Sequence, residues 1–135
     1  MLKRVYVFGN RDVAEDSFAL QAMEVLATRF PDVEFVEIKP NADLPFENGE
    51  DVVLLDVLAN IEEVSFFDDS DVERVLLPPR TSAHDFDLGF QLKYLKKLGK
   101  LGRVSIIGLP MSEKIDYDRI HSILRKLVAQ DMQGS

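Results

Sequence analysis

The sequence predicts an α/β protein: a three-layer α/β/α sandwich on a mostly parallel, twisted sheet of about five strands. Three observations lead there. Short apolar runs recur at residues 5–8, 52–55 and 104–109. Longer stretches carry apolar residues at helical spacing, as in Phe18, Ala22, Val25, Leu26 and Phe30, and again in Ile120, Ile123, Leu124, Leu127 and Val128. Glycine, proline or asparagine marks most of the changes from one pattern to the other.

In chain order, residues 2–8 (LKRVYVF) read as the first strand, followed by the Gly9-Asn10 turn. A helix is expected over about residues 15–29, its start marked by the adjacent acids Glu15 and Asp16, where a helix N-terminus favours negative charge. Pro31 follows its end. Residues 33–38 (VEFVEI) alternate like a strand with one wetter face, which suits a position near the sheet edge. Residues 39–49 (KPNADLPFENG) have the composition of a loop. Residues 51–58 (DVVLLDVL) contain the continuous apolar run of a central strand covered on both faces, with Asp56 at its C-terminal end.

The stretch 61–70 is harder to place: Phe66 and Phe67 belong inside or in an interface, while Asp68, Asp69 and Asp71 belong in water. A short strand is expected at 72–77, stopped by Pro78-Pro79, and then a polar loop at 81–87 (TSAHDFD). The next helix sets Leu88, Leu92 and Leu95 against Lys93, Lys96 and Lys97, with Gly99 and Gly102 bracketing its end. Residues 104–109 form another strand, closed by Pro110, and the last helix spans about 116–130 with Asp116 as its N-cap. Residues 131–135 read as a disordered tail. There is no internal repeat and no linker, so residues 1–135 are expected to form a single domain.

Composition narrows the function. A chain of 135 residues with 46% hydrophobic content can bury a core. A formal net charge of -8 argues against nucleic acid and anionic membranes, both of which need a basic patch. The lysines at 93, 96 and 97 fit a solvated helix face. With no cysteine, disulfides, thiolate metal sites and a cysteine nucleophile are excluded. The N-terminal apolar run is too short for a signal peptide, so a cytoplasmic location without membrane insertion is expected.

In a parallel sheet ligands bind beyond the carboxyl ends of the strands. The loop from Gly9 to Asp16, the strand-end Asp56 and the loop residue His84 are all expected on that rim. Two carboxylates and an imidazole form an oxygen/nitrogen set suited to a divalent ion such as Ni²⁺ or Zn²⁺. Each member also has an ordinary structural reading: Asp16 as a helix-start charge, Asp56 as a cap for the next segment, His84 as a surface loop residue. His121, between core positions of the last helix, reads as structural or exposed. There is no G-x-S-x-G elbow, no P-loop and no G-x-G-x-x-G fingerprint, and Ser82 and His84 are too close along an extended loop to be paired.

The order of these motifs resembles that of the hydrogenase maturation proteases: a strand ending in Gly9-Asn10, an acidic pair at 15 and 16, an apolar strand ending in Asp56, and a downstream loop with His84. The likeness extends from Val5 to about Val128. It implies an α/β/α endopeptidase of aspartyl type that removes the C-terminal extension of a nickel–iron hydrogenase large subunit. It also implies that Asp16, Asp56 and His84 contact nickel borne by the substrate rather than permanently bound, with Asp16 and Asp56 as the catalytic acids. Gly9, Asn10 and Glu15 would form the substrate-binding loop, and the partner would be the large-subunit precursor. The chain departs from the family pattern in three places: Ser17-Phe18-Ala19 follows the acids where a glycine is usual, the glycine after His84 comes late in DFDLG, and Glu15 replaces the commoner aspartate. A non-catalytic metal- or protein-binding module, docking through Phe66-Phe67 and their flanking acids, is the alternative.

Overall fold

A computed structural model describes residues 4–9, 14, 17–39, 46, 49–58, 61–71 and 101–133, with side chains over 102–129 of the last stretch. The elements run β1 (Arg4–Phe8), α1 (Phe18–Arg29), β2 (Glu34–Ile38), β3 (Glu50–Val57), β4 (Ser65–Phe67), β5 (Leu101–Leu109) and α2 (Tyr117–Gln133). The five strands form one sheet in the order β2-β1-β3-β5-β4. All pairings are parallel except β4 with β5, which is antiparallel. The mixed α/β architecture and mostly parallel sheet are those expected. The expected strand at 72–77, the loop at 81–87 and the helix beginning at Leu88 lie outside the described residues.

The two-residue period of the strands divides the core cleanly. Val5, Val7, Val53, Leu55, Val57, Ile107 and Leu109 face one way, where Phe18, Ala22 and Leu26 of α1 and Ile120 and Leu124 of α2 pack on them. Tyr6, Phe8, Val52, Leu54, Val104 and Ile106 face the other way and meet Ile38, Leu58, Phe46, Ile61 and Phe67. Both helices described therefore cover the same face of the sheet.

Three boundaries differ from expectation. First, α1 begins at Phe18, after the acidic pair, and its first turn contains no acid. Ser17 turns back on the preceding chain: its amide and hydroxyl both donate to the Ala14 carbonyl, at 3.2 and 2.7 Å, and Gln21 Nε2 donates to its Oγ at 3.1 Å. The helix starts where its buried face starts, at Phe18, Ala19 and Leu20. Second, Gly102 does not mark a helix end but lies inside β5. Third, α2 continues to Gln133, three residues beyond the expected end. Its start is as expected: the Arg119 amide donates to Asp116 Oδ1 at 3.1 Å, an N-cap bond.

The ambiguous stretch at 61–70 resolves into the edge strand β4. Alternation sends Phe67 into the core and leaves Phe66 38% exposed on the opposite face. Asp68 ends the strand by accepting both the amide and the hydroxyl of Ser70, at 3.1 and 2.6 Å. These bonds, above all the hydroxyl, hold its carboxyl below the usual aspartate range. Asp69 is not simply in water as expected: its Oδ1 accepts the Val104 amide of β5 at 2.8 Å, beyond the end of β4.

Candidate functional site

The strand order reverses between β1 and β3. From β1 the chain crosses through α1 to β2 on one side, whereas β3 and β5 lie on the other. In open parallel sheets such a divergence leaves a crevice beyond the carboxyl ends of the two strands, the usual place for a ligand. Gly9, which is buried, leaves the end of β1 there, and Asp56 is the penultimate residue of β3.

Asp56 is 1% exposed, and among the described residues it is the charged side chain placed in the core. A carboxylate removed from water is costly unless something nearby rewards it, which makes Asp56 a candidate site residue. Its position follows from the strand period. Val52 and Leu54 of β3, and Leu58 just past its end, line the same face, so the carboxylate sits in an apolar row, opposite to the face covered by α1 and α2. Laterally it pairs with Gly108 of β5. Beyond Asp56 the chain stays tied to the sheet through the Leu58 amide, which donates to the Leu109 carbonyl at 2.9 Å.

Of the other residues expected at this rim, Asn10, Glu15, Asp16 and His84 lie outside the described residues. His121 is described and lies on the helix-covered side, its ring against Phe30 with centroids 4.9 Å apart, across the sheet from the face of Asp56. Sequence reasoning missed the immediate surroundings of Asp56, namely Gly108, Leu58 and Ile61. The glycine between Ile107 and Leu109, inside a mostly apolar strand run, was the available signal.

Tyr6 is a second polar group placed in the core, toward the amino end of the sheet. Its hydroxyl donates to the Glu50 carboxylate, 2.8 and 2.7 Å from the two oxygens, and Phe46 meets its ring edge-on at 4.7 Å. Burial first, and then the bond to Glu50, push the phenol up to about 12, with Arg4 opposing. This group braces the sheet and lies away from the crevice.

No protein-family model and no curated protein matches the chain. Solved structures do. The chain is similar to the hydrogenase maturating endopeptidase HybD from E. coli, with a TM-score of 0.68 and 15% identity over 98% of this chain and 94% of that one. It is also similar to the hydrogenase 2 maturation peptidase from Thaumarchaeota archaeon SCGC_AB-539-E09, with a TM-score of 0.52 and 22% identity over 98% of each chain. At these identities the likeness establishes a shared fold across nearly the whole chain.

Proposed function

We propose that this chain is an endopeptidase of the hydrogenase-maturation type, which removes the C-terminal extension of a nickel–iron hydrogenase large-subunit precursor and uses nickel carried by that substrate as its recognition feature. The observation that carries the reading is the buried carboxylate of Asp56 at the end of the central strand, beside the point where the strand order reverses. The likeness in fold to two maturation peptidases supports it.

In this reading Asp56 supplies an oxygen donor from an apolar row, where its attraction for a cation is weakly screened. Asp16 and His84 complete the donor set, and Gly9, Asn10 and Glu15 hold the extended substrate. A bound cation contributes several kcal/mol of charge stabilisation at a carbonyl under attack. Among the chain's own groups, Asp16 and Asp56 are the carboxylates available to take up or return a proton. The buried one is held rigidly, since its strand pairs with β5 from Val52 through Val57.

The test is incubation of the purified chain with nickel-loaded precursor, followed by mass spectrometry. The expected result is loss of the extension's mass with the wild-type chain and none with Asp56→Asn, whose circular dichroism stays that of the wild type. Trimming by the Asn variant would remove Asp56 from its role. The exposure of Phe66 on an edge strand flanked by Glu62, Glu63 and Asp68 favours a second reading, a non-catalytic docking module. Precursor binding without mass loss in the wild type is its signature.

A further inference from the structure

We propose that Gly108 is a positioning residue for Asp56, and that the apolar wall built over it by Leu58 and Ile61 fixes the side from which that carboxylate meets its partner. The inference rests on the reading of Asp56 just given and deepens it.

Gly108 lies directly opposite Asp56 in the β3–β5 register. Paired strands run about 4.8 Å apart, so a side chain at 108 would be the lateral neighbour of the carboxylate on the same face. That place is already filled. A Cβ at 108 would come within 2.6 Å of Leu58 Cδ1, 3.3 Å of Leu58 Cγ and 3.2 Å of Ile61 Cδ1. Leu58, one residue past β3, is the next same-face position after Asp56 and is fully buried, its backbone held to β5 by the bond to Leu109. Ile61 packs on the same cluster. The β5 flank of Asp56 is thus closed by methyl groups that can neither donate a hydrogen bond nor ligate a cation. The strand neighbours Leu54 and Leu58 close the row above and below in the same way. On the β1 side the register of Tyr6 with Leu54 and Val7 with Leu55 leads to Phe8, an apolar residue of the same face, so what reaches the carboxylate comes from the rim.

The closest atom in the clash is the tip of a leucine side chain, so Gly108→Ala is accommodated by turning Leu58, the next residue after Asp56 on the same face. In Gly108→Ala the carboxyl-carbon NMR resonance of Asp56, assigned through its loss in Asp56→Asn, is expected to move. The amide spectra of β1 and β2 are expected to stay unchanged. Precursor processing, normalised to folded protein, is expected to lose about tenfold or more in kcat with KM little altered, the pattern of a misplaced reacting group. Gly108→Ala/Leu58→Val removes the atom at 2.6 Å and is expected to return both the resonance and most of the rate.

An unmoved resonance with an unaltered kcat in Gly108→Ala overturns the proposal, as does a folded double variant that restores neither. If Gly108→Ala does not fold, Leu58→Ala opens the same wall and must move the Asp56 resonance; no movement there overturns the proposal as well. A wild-type chain that trims no precursor counts against the peptidase reading, and the resonance of Asp56 still decides the role of Gly108.

Discussion

Tyr6 shows how much one side chain can depend on a partner far away in sequence. Its phenol is buried in the first strand and is satisfied by Glu50, 44 residues later. A hydrogen bond to a charged group contributes about 1.5–3 kcal/mol, so Tyr6→Phe is expected to lower stability by roughly that amount in denaturant titration. The sign of the pH effect follows from the raised phenol. Because the folded state holds the proton more tightly, the contribution is complete below the ordinary tyrosine value of 10.0 and is lost as pH rises through about 12. Wild-type stability is therefore expected to fall more steeply than that of Tyr6→Phe across that alkaline window. Parallel pH profiles of the two proteins would exclude the coupling. At this scale the sequence marked Asp56 as anomalous, because a carboxylate in an apolar strand stands out on its own. It could not mark the Tyr6–Glu50 bond or the Asp56–Gly108 pairing, which exist only once separate strands meet.

Among the elements, β5 carries the sharpest local device. Between the pairs Glu50–Leu101 and Val52–Val104, β5 has one residue more than β3, which makes a bulge. Asp51 fills it: its Oδ1 accepts the Arg103 amide at 2.8 Å. A Cβ at Gly102 would lie 2.1 Å from that same oxygen and 3.0 Å from the Gly49 carbonyl, so the bulge requires glycine for close approach. Gly102→Ala is expected to cost about 1–3 kcal/mol. Adding Asp51→Ala is expected to recover part of that loss, because the crowded carboxylate is then gone, with a coupling of about 0.5 kcal/mol or more in a thermal double-mutant cycle. Strict additivity would show that the two residues do not share the bulge. The sequence read Gly102 as the stop of a helix, since a glycine after a helical pattern commonly has that role. Nothing local separates that use from a bulge. The start of α1 differs from expectation for a related reason: an acidic pair is a generic helix-start signal, but the helix begins with its buried face at Phe18.

For the molecule as a whole, the strand order decides both where stability concentrates and where ligands can bind. β3 pairs with β1 on one side and β5 on the other, and its residues from Val52 to Val57 are all buried. β4 has three residues and lies at the end of the strand order. Native-state hydrogen exchange is expected to be slowest in β3 and fastest, among the five strands, in β4. Equal protection of the two would contradict the sheet described. The same order places the ends of β1 and β3 side by side where the connections diverge, near Asp56, and that is where open parallel sheets ordinarily bind ligands.

The sequence by itself determined the α/β class, the core strands β1, β3 and β5, the amphipathic patterns of α1 and α2, the cap at Asp116 and the anomaly of a carboxylate at position 56, because each is written in the pattern of near neighbours. The tertiary structure alone decided the strand order, the antiparallel edge made by Phe66 and Phe67, the bulge at Gly102, and the wall of Leu58 and Ile61 over Gly108. These depend on which surfaces exclude water together, and residues tens of positions apart become neighbours only when the sheet has formed.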